Sequence, residues 1–486
     1  MTDSTPHGYH STAAEGPAIG QDEWVARHAD AVVLPGILGV AERRLRRLPW
    51  WVWLVLFLAA FSIFPVVESS GYVRLVAFDT VLYMLLALGL NVVVGWGGLL
   101  DLGYVVFYGF GAYAYALLDS PHYGIHLTTI ASVPLIVVMG AVVGLLLGLP
   151  SWRLTGDYLA IVTLFALQLF QTITTNWQHV TGGPFGILNV DPFDLPGGHQ
   201  LAVQHGGIFA VSYLYVALAF FAVVFVALRM VNNSRTGRAW RSLREDPLAA
   251  EAMGMPVNWL KLMSFSFGAA VAAFTGTLFA AQSANVFPLS FYFVALITIY
   301  TMVILGGSGN QAGVVLGALI IGPLLEALRS ADKSRYLFFI TLVLGLLFAW
   351  RRSRALGVVA VATLGFGFAV HAIAGAIHSD WVAGEHTGGF AGFVDHWVVA
   401  PAHLARWLSP VSYVGVIVAA LVLTLLRGRV RLVLLVPTLY LAAFVWENVM
   451  LSKPDAARYI VLGVILIVLM ILRPSGLLGE RRVEIV

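Results

Sequence analysis

The chain has 486 residues and a mass of 52.5 kDa; 59% of its residues are apolar, only 11% are charged, and the mean hydropathy is +0.86. Soluble proteins carry about 25% charged residues, so water-facing domains are excluded and the solvent for most of this chain is a bilayer. A net charge of +3 does not point to nucleic acid, because the basic residues stand in short clusters between apolar runs; zero Cys excludes disulfides and thiolate chemistry, and no GxxxxGK[ST] run is present to hold ATP.

Residues 1–48 read as a cytoplasmic, largely disordered tail that ends in Arg43, Arg44, Arg46 and Arg47, just before an apolar span at Trp50–Val67. The tail is too long and too acidic for a secretory leader, and no small-residue cleavage site follows. Further apolar spans fall near 74–95, 99–118, 128–149, 158–175, 209–229, 262–282, 291–306, 312–328, 336–350, 357–376, 411–426, 431–447 and 459–472. The fold class is therefore an all-α polytopic membrane protein with 13–14 spans. Counted over fourteen spans, 21 of the 28 Lys and Arg fall on the side of the N-terminal tail, and the loop 176–208 has none. The positive-inside rule then places both termini in the cytoplasm.

The first polar block interrupts a span. Asn91 and Asp101 are costly in hydrocarbon, and seven glycines within 23 residues, among them Gly95, Gly97, Gly98 and Gly103, weaken a regular helix before Phe107 and Tyr113. Broken helices at membrane depth are tolerated where they are buried in protein or line a cavity. On the residues alone, a substrate path and a glycine-packed cytoplasmic turn fit equally. Further on, Gly140, Gly144 and Gly148 lie four apart on one helical face and permit close helix packing. Asp157 stands where a helix begins and suits its positive end. Thr163 offers either a pore-facing hydroxyl or a bond back to its own helix.

The long basic loop from Ser234 to Met255 contains a short predicted helix. Asp246 suits the position before it, Pro247 its first turn and Gly254 its end, with Leu248, Ala249, Ala250 and Glu251 between. A face of small residues fits docking into a partner's groove, and a solvated loop helix is the bland alternative. Asp79, Glu326 and Glu447 lie within or at the edge of spans, with Glu326 one turn from Arg329. His378, Asp380, Glu385, His386, Asp395, His396 and His403 crowd one later loop, but no tight ligand spacing argues for a metal. No cofactor is called for.

LGLNVVVGWGGLLDLGYVVFYGFGAYAYALL, RLTGDYLAIVTL, TGGPFGI, SRTGRAWRSLREDPLAAEAMGM, VILGGSGNQAGVVLGA and RPSGLLG occur in that order. Together they resemble the branched-chain amino-acid ABC importer permeases, M-type subunit, whose relatives include urea and short-amide permeases. The resemblance implies a helical permease with no chemistry of its own in a bacterial cytoplasmic (inner) membrane. It also implies a sister permease subunit, two cytoplasmic ATPase subunits and a periplasmic or extracellular substrate-binding protein as partners, besides membrane lipid. Asp246, Pro247, Leu248, Ala249, Ala250, Glu251 and Gly254 become the ATPase coupling helix, with Leu248 where the family's EAA pattern has Glu. Asn91, Gly95, Gly97, Gly98, Asp101, Gly103, Phe107, Tyr113, Thr163 and Gln168 become the candidate lining of the translocation path. Gln168 and Gln171 replace a Glu and an Arg often found in relatives, which shifts the path toward neutral or unusual solutes. The organisation is then a tail at 1–48, a permease core at 49–350, a family-atypical insert at 351–457 with three spans, and a terminal span at 458–486. The rivals are a urea or short-amide importer and a stand-alone secondary transporter or channel, which would need a coupling-ion site.

Overall fold

The computed structural model describes residues 49–67, 70–120, 124–154, 156–195, 199–201, 204–205, 208–209, 211–352, 354–382, 389–399, 401, 407–451, 453–472 and 475–479. The tail read at 1–48 lies outside them. By contacts the described chain divides at Phe64, and Pro65–Gly479 forms one unit. The first helix, α1 (Trp50–Val67), exposes Trp51, Val55, Leu56 and Ile63, apolar all round as lipid contact requires.

Within Pro65–Gly479 the labelled helices run in order: α2 (Gly71–Leu90), α3 (Val105–Leu118), α4 (Thr129–Gly148), α5 (Asp157–Asn176), α6 (Val211–Asn233), α7 (Arg235–Glu245), α8 (Pro247–Ala252) and α9 (Val257–Ser283). There follow α10 (Phe293–Gly306), α11 (Gln311–Ala327), α12 (Ala331–Arg352), α13 (Arg354–Ile377), α14 (Gly389–Trp397), α15 (Leu408–Leu425), α16 (Arg429–Val445) and α17 (Pro454–Leu472). Among the described residues nine helices are long and apolar enough to cross a membrane, and four shorter ones are apolar. The chain is an all-helical polytopic membrane protein.

The central element is α9, which packs against α2, α3 and α4. In hydrocarbon, apolar area gives helices no reason to associate, so close approach of small residues supplies the contact. Gly140 and Gly144 of α4 meet Ala273 and Ala269 of α9, and Gly148 meets Phe265. A Cβ on Gly111 of α3 would stand 2.0 Å from the Ala273 carbonyl oxygen. The glycine face read from the sequence is thus a seam of the bundle.

The two ends of α9 define the two ends of the bundle, about 40 Å apart for its 27 residues. One end joins α8. The other joins short ladders, among them Ile187 with Val286 and Asp119 with His126. At the ladder end Asp119 is buried, and His126 Nδ1 lies 2.7 Å from Asp191 Oδ2.

The region read as an insert is joined to α12 by an ionic contact: Arg335 Nε donates to Glu447 Oε1 at 2.7 Å, with both side chains nearly fully buried. Around it Phe339, Val394, Trp397, Val398, Tyr440 and Ala443 form one apolar cluster.

Candidate functional site at the basic end of the bundle

The basic loop contains a helix that sequence reasoning missed. Ser234 caps α7 by accepting from Gly237 N, and Gly237, Trp240 and Leu243 repeat at helical spacing on its buried face. Trp240 Nε1 donates to the Leu260 carbonyl at 2.8 Å, which fixes α7 against the first turn of α9. Its ring stacks on Trp96 at 6.1 Å between centroids. One turn on, Arg244 Nη1 donates to the Gly95 carbonyl at 2.6 Å, and its guanidinium also reaches the Ser308 carbonyl and hydroxyl at 3.4 and 3.3 Å. The signal available in the sequence was the spacing of Trp240 and Arg244, four apart in RTGRAWRSLRE.

Arg244 reaches Gly95 because the helix there is broken. After α2 the chain takes a π-helical turn, Asn91–Trp96, and has no regular helix again until Val105. Asn91 Oδ1 accepts from Gly309 N at 2.7 Å, and Trp96 Nε1 donates to the Gly309 carbonyl at 3.0 Å. A Cβ on Gly95 would stand 2.0 Å from Asn91 Oδ1, so the clasp requires glycine. The far C-terminal motif joins the same knot. Leu477 N and Leu478 N donate to the Leu305 and Gly306 carbonyls at 2.8 and 3.1 Å, and Asn310 Nδ2 donates to the Leu478 carbonyl at 2.8 Å. Four of the six quoted motifs thus meet at one end of the bundle.

From that knot α8 projects. Asp246 Oδ1 accepts from Leu248 N and Ala249 N at 2.9 and 3.1 Å, Pro247 begins the helix, and Gly254 follows it at φ 80°. The local structure is as the sequence implies, with one correction: Ala250 packs inward, so the outer face is not uniformly small. Leu248 and Met253 are 78% and 80% exposed there, beside Ala249 and Glu251.

The residues read as a path lining divide into two groups. Asn91, Asp101, Gly103, Phe107, Tyr113 and Thr163 make contacts within the chain, while Asn91 Nδ2, Asp101 Oδ2 and Tyr113 Oη are buried with no hydrogen-bond partner among the described residues. Tyr300 Oη bonds Asp101 N at 3.1 Å and donates to the Asp101 carbonyl at 2.6 Å, and Gly103 N donates to Asp101 Oδ1 at 2.8 Å. Thr163 Oγ1 makes the bond back to its own helix, donating to Ala160 O (3.0 Å), and also accepts from Leu102 N (2.8 Å). Phe107 packs edge-on to Tyr104, and Tyr113 edge-on to Phe170. Gly97 lies against Ser264, and Gly98, at φ 66°, against Arg244. Gln168 stands apart on the exposed side of α5, with Phe165 and Leu169, while Gln171 Nε2 donates to the Phe291 carbonyl at 3.3 Å. Asp157 is the first residue of α5, preceded by Gly156 at φ 57°, and no side chain caps that helix. Among the described residues no three His, Asp or Glu side chains are placed to hold a metal; Glu385, His386 and His403 lie outside them.

The family model described as "Branched-chain amino acid transport system / permease component" matches residues 72–348. The high-affinity branched-chain amino acid transport system permease protein LivM of Escherichia coli K12 is 37% identical over 316 residues, which cover 62% of this chain and 73% of that protein. A probable branched-chain amino acid transport permease protein LivM of Methanocaldococcus jannaschii is 29% identical over 236 residues, covering 46% and 66%. The E. coli K12 permease protein LivH is 33% identical over 139 residues, covering 28% and 44%. No solved structure matches the chain.

Proposed function

We propose, from the premise that this chain belongs to the permease family of branched-chain amino acid transport systems, that it carries branched-chain amino acids across a bacterial cytoplasmic membrane. It is a transport subunit of an ATP-driven importer and not an enzyme. Its partners are a sister permease, two cytoplasmic ATPases and an external binding protein that delivers the substrate. Both termini lie inside.

The observation that carries this reading is the mechanical continuity of that end. The exposed Leu248 and Met253 of α8 offer an apolar face to a partner, and α8 is continuous with α7, whose Arg244 and Trp240 hold the broken helix and the turn at Ser308–Gly309. A push on α8 by a closing ATPase pair is thereby delivered to the Asn91–Trp96 turn and to the foot of α9, which rocks the bundle between outward- and inward-open states. The break at 91–103 and the Gln168 side of α5 flank the route taken by the substrate.

The test is purification of the chain from its native membranes in mild detergent, followed by leucine uptake in proteoliposomes. An ATPase and a related permease should co-purify, and uptake should require ATP. Reproducible recovery of this chain without an ATPase, with uptake driven by an ion gradient, sinks the reading.

A further inference from the structure

At the ladder end the bundle forms a cavity of 340 Å³, between α2, α3, α9, α10, α11 and α17. That volume lies in the range of small-ligand pockets, about 300–1,000 Å³. Its walls are chemically divided. Leu82, Leu86 and Phe279 give an apolar side, while Asp79, Glu326 and Arg458 bring three charges to the remainder. Charged side chains at membrane depth persist where they meet one another or serve a ligand or ion.

The three charges are unequally satisfied. Glu326 accepts from Tyr72 Oη at 2.7 Å and has Arg329 Nη1 at 3.6 Å. Arg458 donates to Tyr459 Oη at 2.8 Å with its guanidinium 4.8 Å from the centre of that ring, which holds the cation on the cavity wall. Asp79 receives no hydrogen bond from any described residue and has no cation within 4.0 Å, Arg458 included. The cavity therefore presents a carboxylate and a guanidinium, separated from each other, beside an apolar surface.

We infer that this cavity is a binding site for a small zwitterion with an apolar side chain. Its ammonium group pairs with Asp79, reinforced by the charge of Glu326; its carboxylate turns toward Arg458, and its side chain lies on Leu82, Leu86 and Phe279. This rests on the proposed function and deepens it, since a branched-chain amino acid has that chemistry. It adds a recognition site in the permease itself, at the end opposite α8 and away from the helix break.

The chain has no Cys, so Ser290→Cys, on the cavity wall, introduces a single thiol without altering a charge. Its maleimide labelling rate is measured in the assembled importer in proteoliposomes, with L-leucine, 4-methylpentanoate (no ammonium) or isoamylamine (no carboxylate) as protectant. L-Leucine should slow labelling at least five-fold and saturably, neither fragment should match it at equal concentration, and Asp79→Asn should raise the protecting concentration at least ten-fold. Labelling indifferent to leucine, in a preparation that transports leucine, overturns the site and leaves the proposed function standing. Equal protection by isoamylamine overturns the zwitterion in favour of a plain cation. A preparation that transports no amino acid overturns the proposed function and the ligand class with it. The Ser290→Cys arms decide the matter even where Asp79→Asn fails to fold.

Discussion

Arg244 and Gly95 stand 149 residues apart in the sequence and are joined by a 2.6 Å hydrogen bond from guanidinium to carbonyl. The bond crosses from the basic loop to the turn that interrupts a membrane helix. A charged donor on a partly buried carbonyl contributes about 1.5–3 kcal/mol, so the loop and the break move together. Arg244→Ala should lower ATP-driven uptake ten-fold or more while the ATPases still assemble and turn over. Arg244→Lys, which lacks the fork that also reaches Ser308, should rescue only part of it. Paired uptake and ATPase measurements on one preparation check this; uptake and hydrolysis falling in strict proportion would count against it.

Leu248 and Met253 face outward on α8, so polar replacements there should leave the bundle intact. Leu248→Arg and Gly254→Arg should abolish ATPase co-purification or uncouple uptake. Leu248→Arg should shift the thermal midpoint by no more than about 2 °C, as surface changes do. Gly254→Arg, at φ 80°, adds local backbone strain of about 1 kcal/mol without unfolding the bundle. Normal transport in Gly254→Arg would remove α8 from its coupling role.

The seam between α3, α4 and α9 has no space for larger side chains. Gly111→Leu meets the Ala273 backbone, and Gly140→Leu meets Ala273 Cβ at 2.4 Å. Overpacking of this kind costs about 1–3 kcal/mol, and more where backbone is the obstacle, so Gly111→Leu should be the worse of the two. Thermal unfolding of both variants in detergent gives the order directly.

Glu447 and Arg335 are nearly fully buried and meet at 2.7 Å. Glu447→Ala leaves Arg335 with Asp332 at 3.8 Å in place of its close buried partner, so it should destabilise by up to about 3 kcal/mol. The double change Arg335→Leu with Glu447→Leu should recover much of that loss. A single variant as stable as the parent would show that the pair does not tie α12 to the following region.

Asp119 lies at the ladder end, outside the spans, where burial pushes its carboxyl up to about 6; the Ser132 hydroxyl opposes this, and the charges of Asp194 and Asp191 add to it. The folded value exceeds the ordinary 3.8, so the unfolded chain ionises first as pH rises. Stability is unaffected below about 4, falls between about 4 and about 6, and levels off above. Asp119→Asn should remove that slope from thermal unfolding followed across this range, and an unchanged slope would assign it to another group.

The helices were legible because a bilayer imposes a long apolar run on every crossing, and the predicted span at 209–229 is observed as Val211–Asn233. Local signals also survived: Asp246 caps α8, Gly254 ends it, and the glycine-rich block does break its helix. Pairings between distant segments were not legible. Nothing near Arg244 names Gly95 or Ser308 as its partners, and nothing near Asp79 names Arg458 as a neighbour across a cavity. Polar residues in a span invite a path reading, but nothing near them shows that Asn91 Oδ1 and Thr163 Oγ1 accept from Gly309 N and Leu102 N, as a broken helix requires when its freed backbone groups are bonded inside the protein. Periodicity places a residue on a face, and only the fold decides what that face meets.

The bonds from Leu477 and Leu478 to the Leu305 and Gly306 carbonyls carry a consequence for biosynthesis. The knot beneath α8 borrows a strip of backbone from residues translated some 170 positions later than the turn it covers. The membrane helices can insert as they emerge from the ribosome, but this surface is finished only after residue 478 has been made. Ribosome-stalled chains released short of position 475 should therefore insert and still fail to hold an ATPase, which would make recruitment of the motor subunits a late checkpoint in assembly.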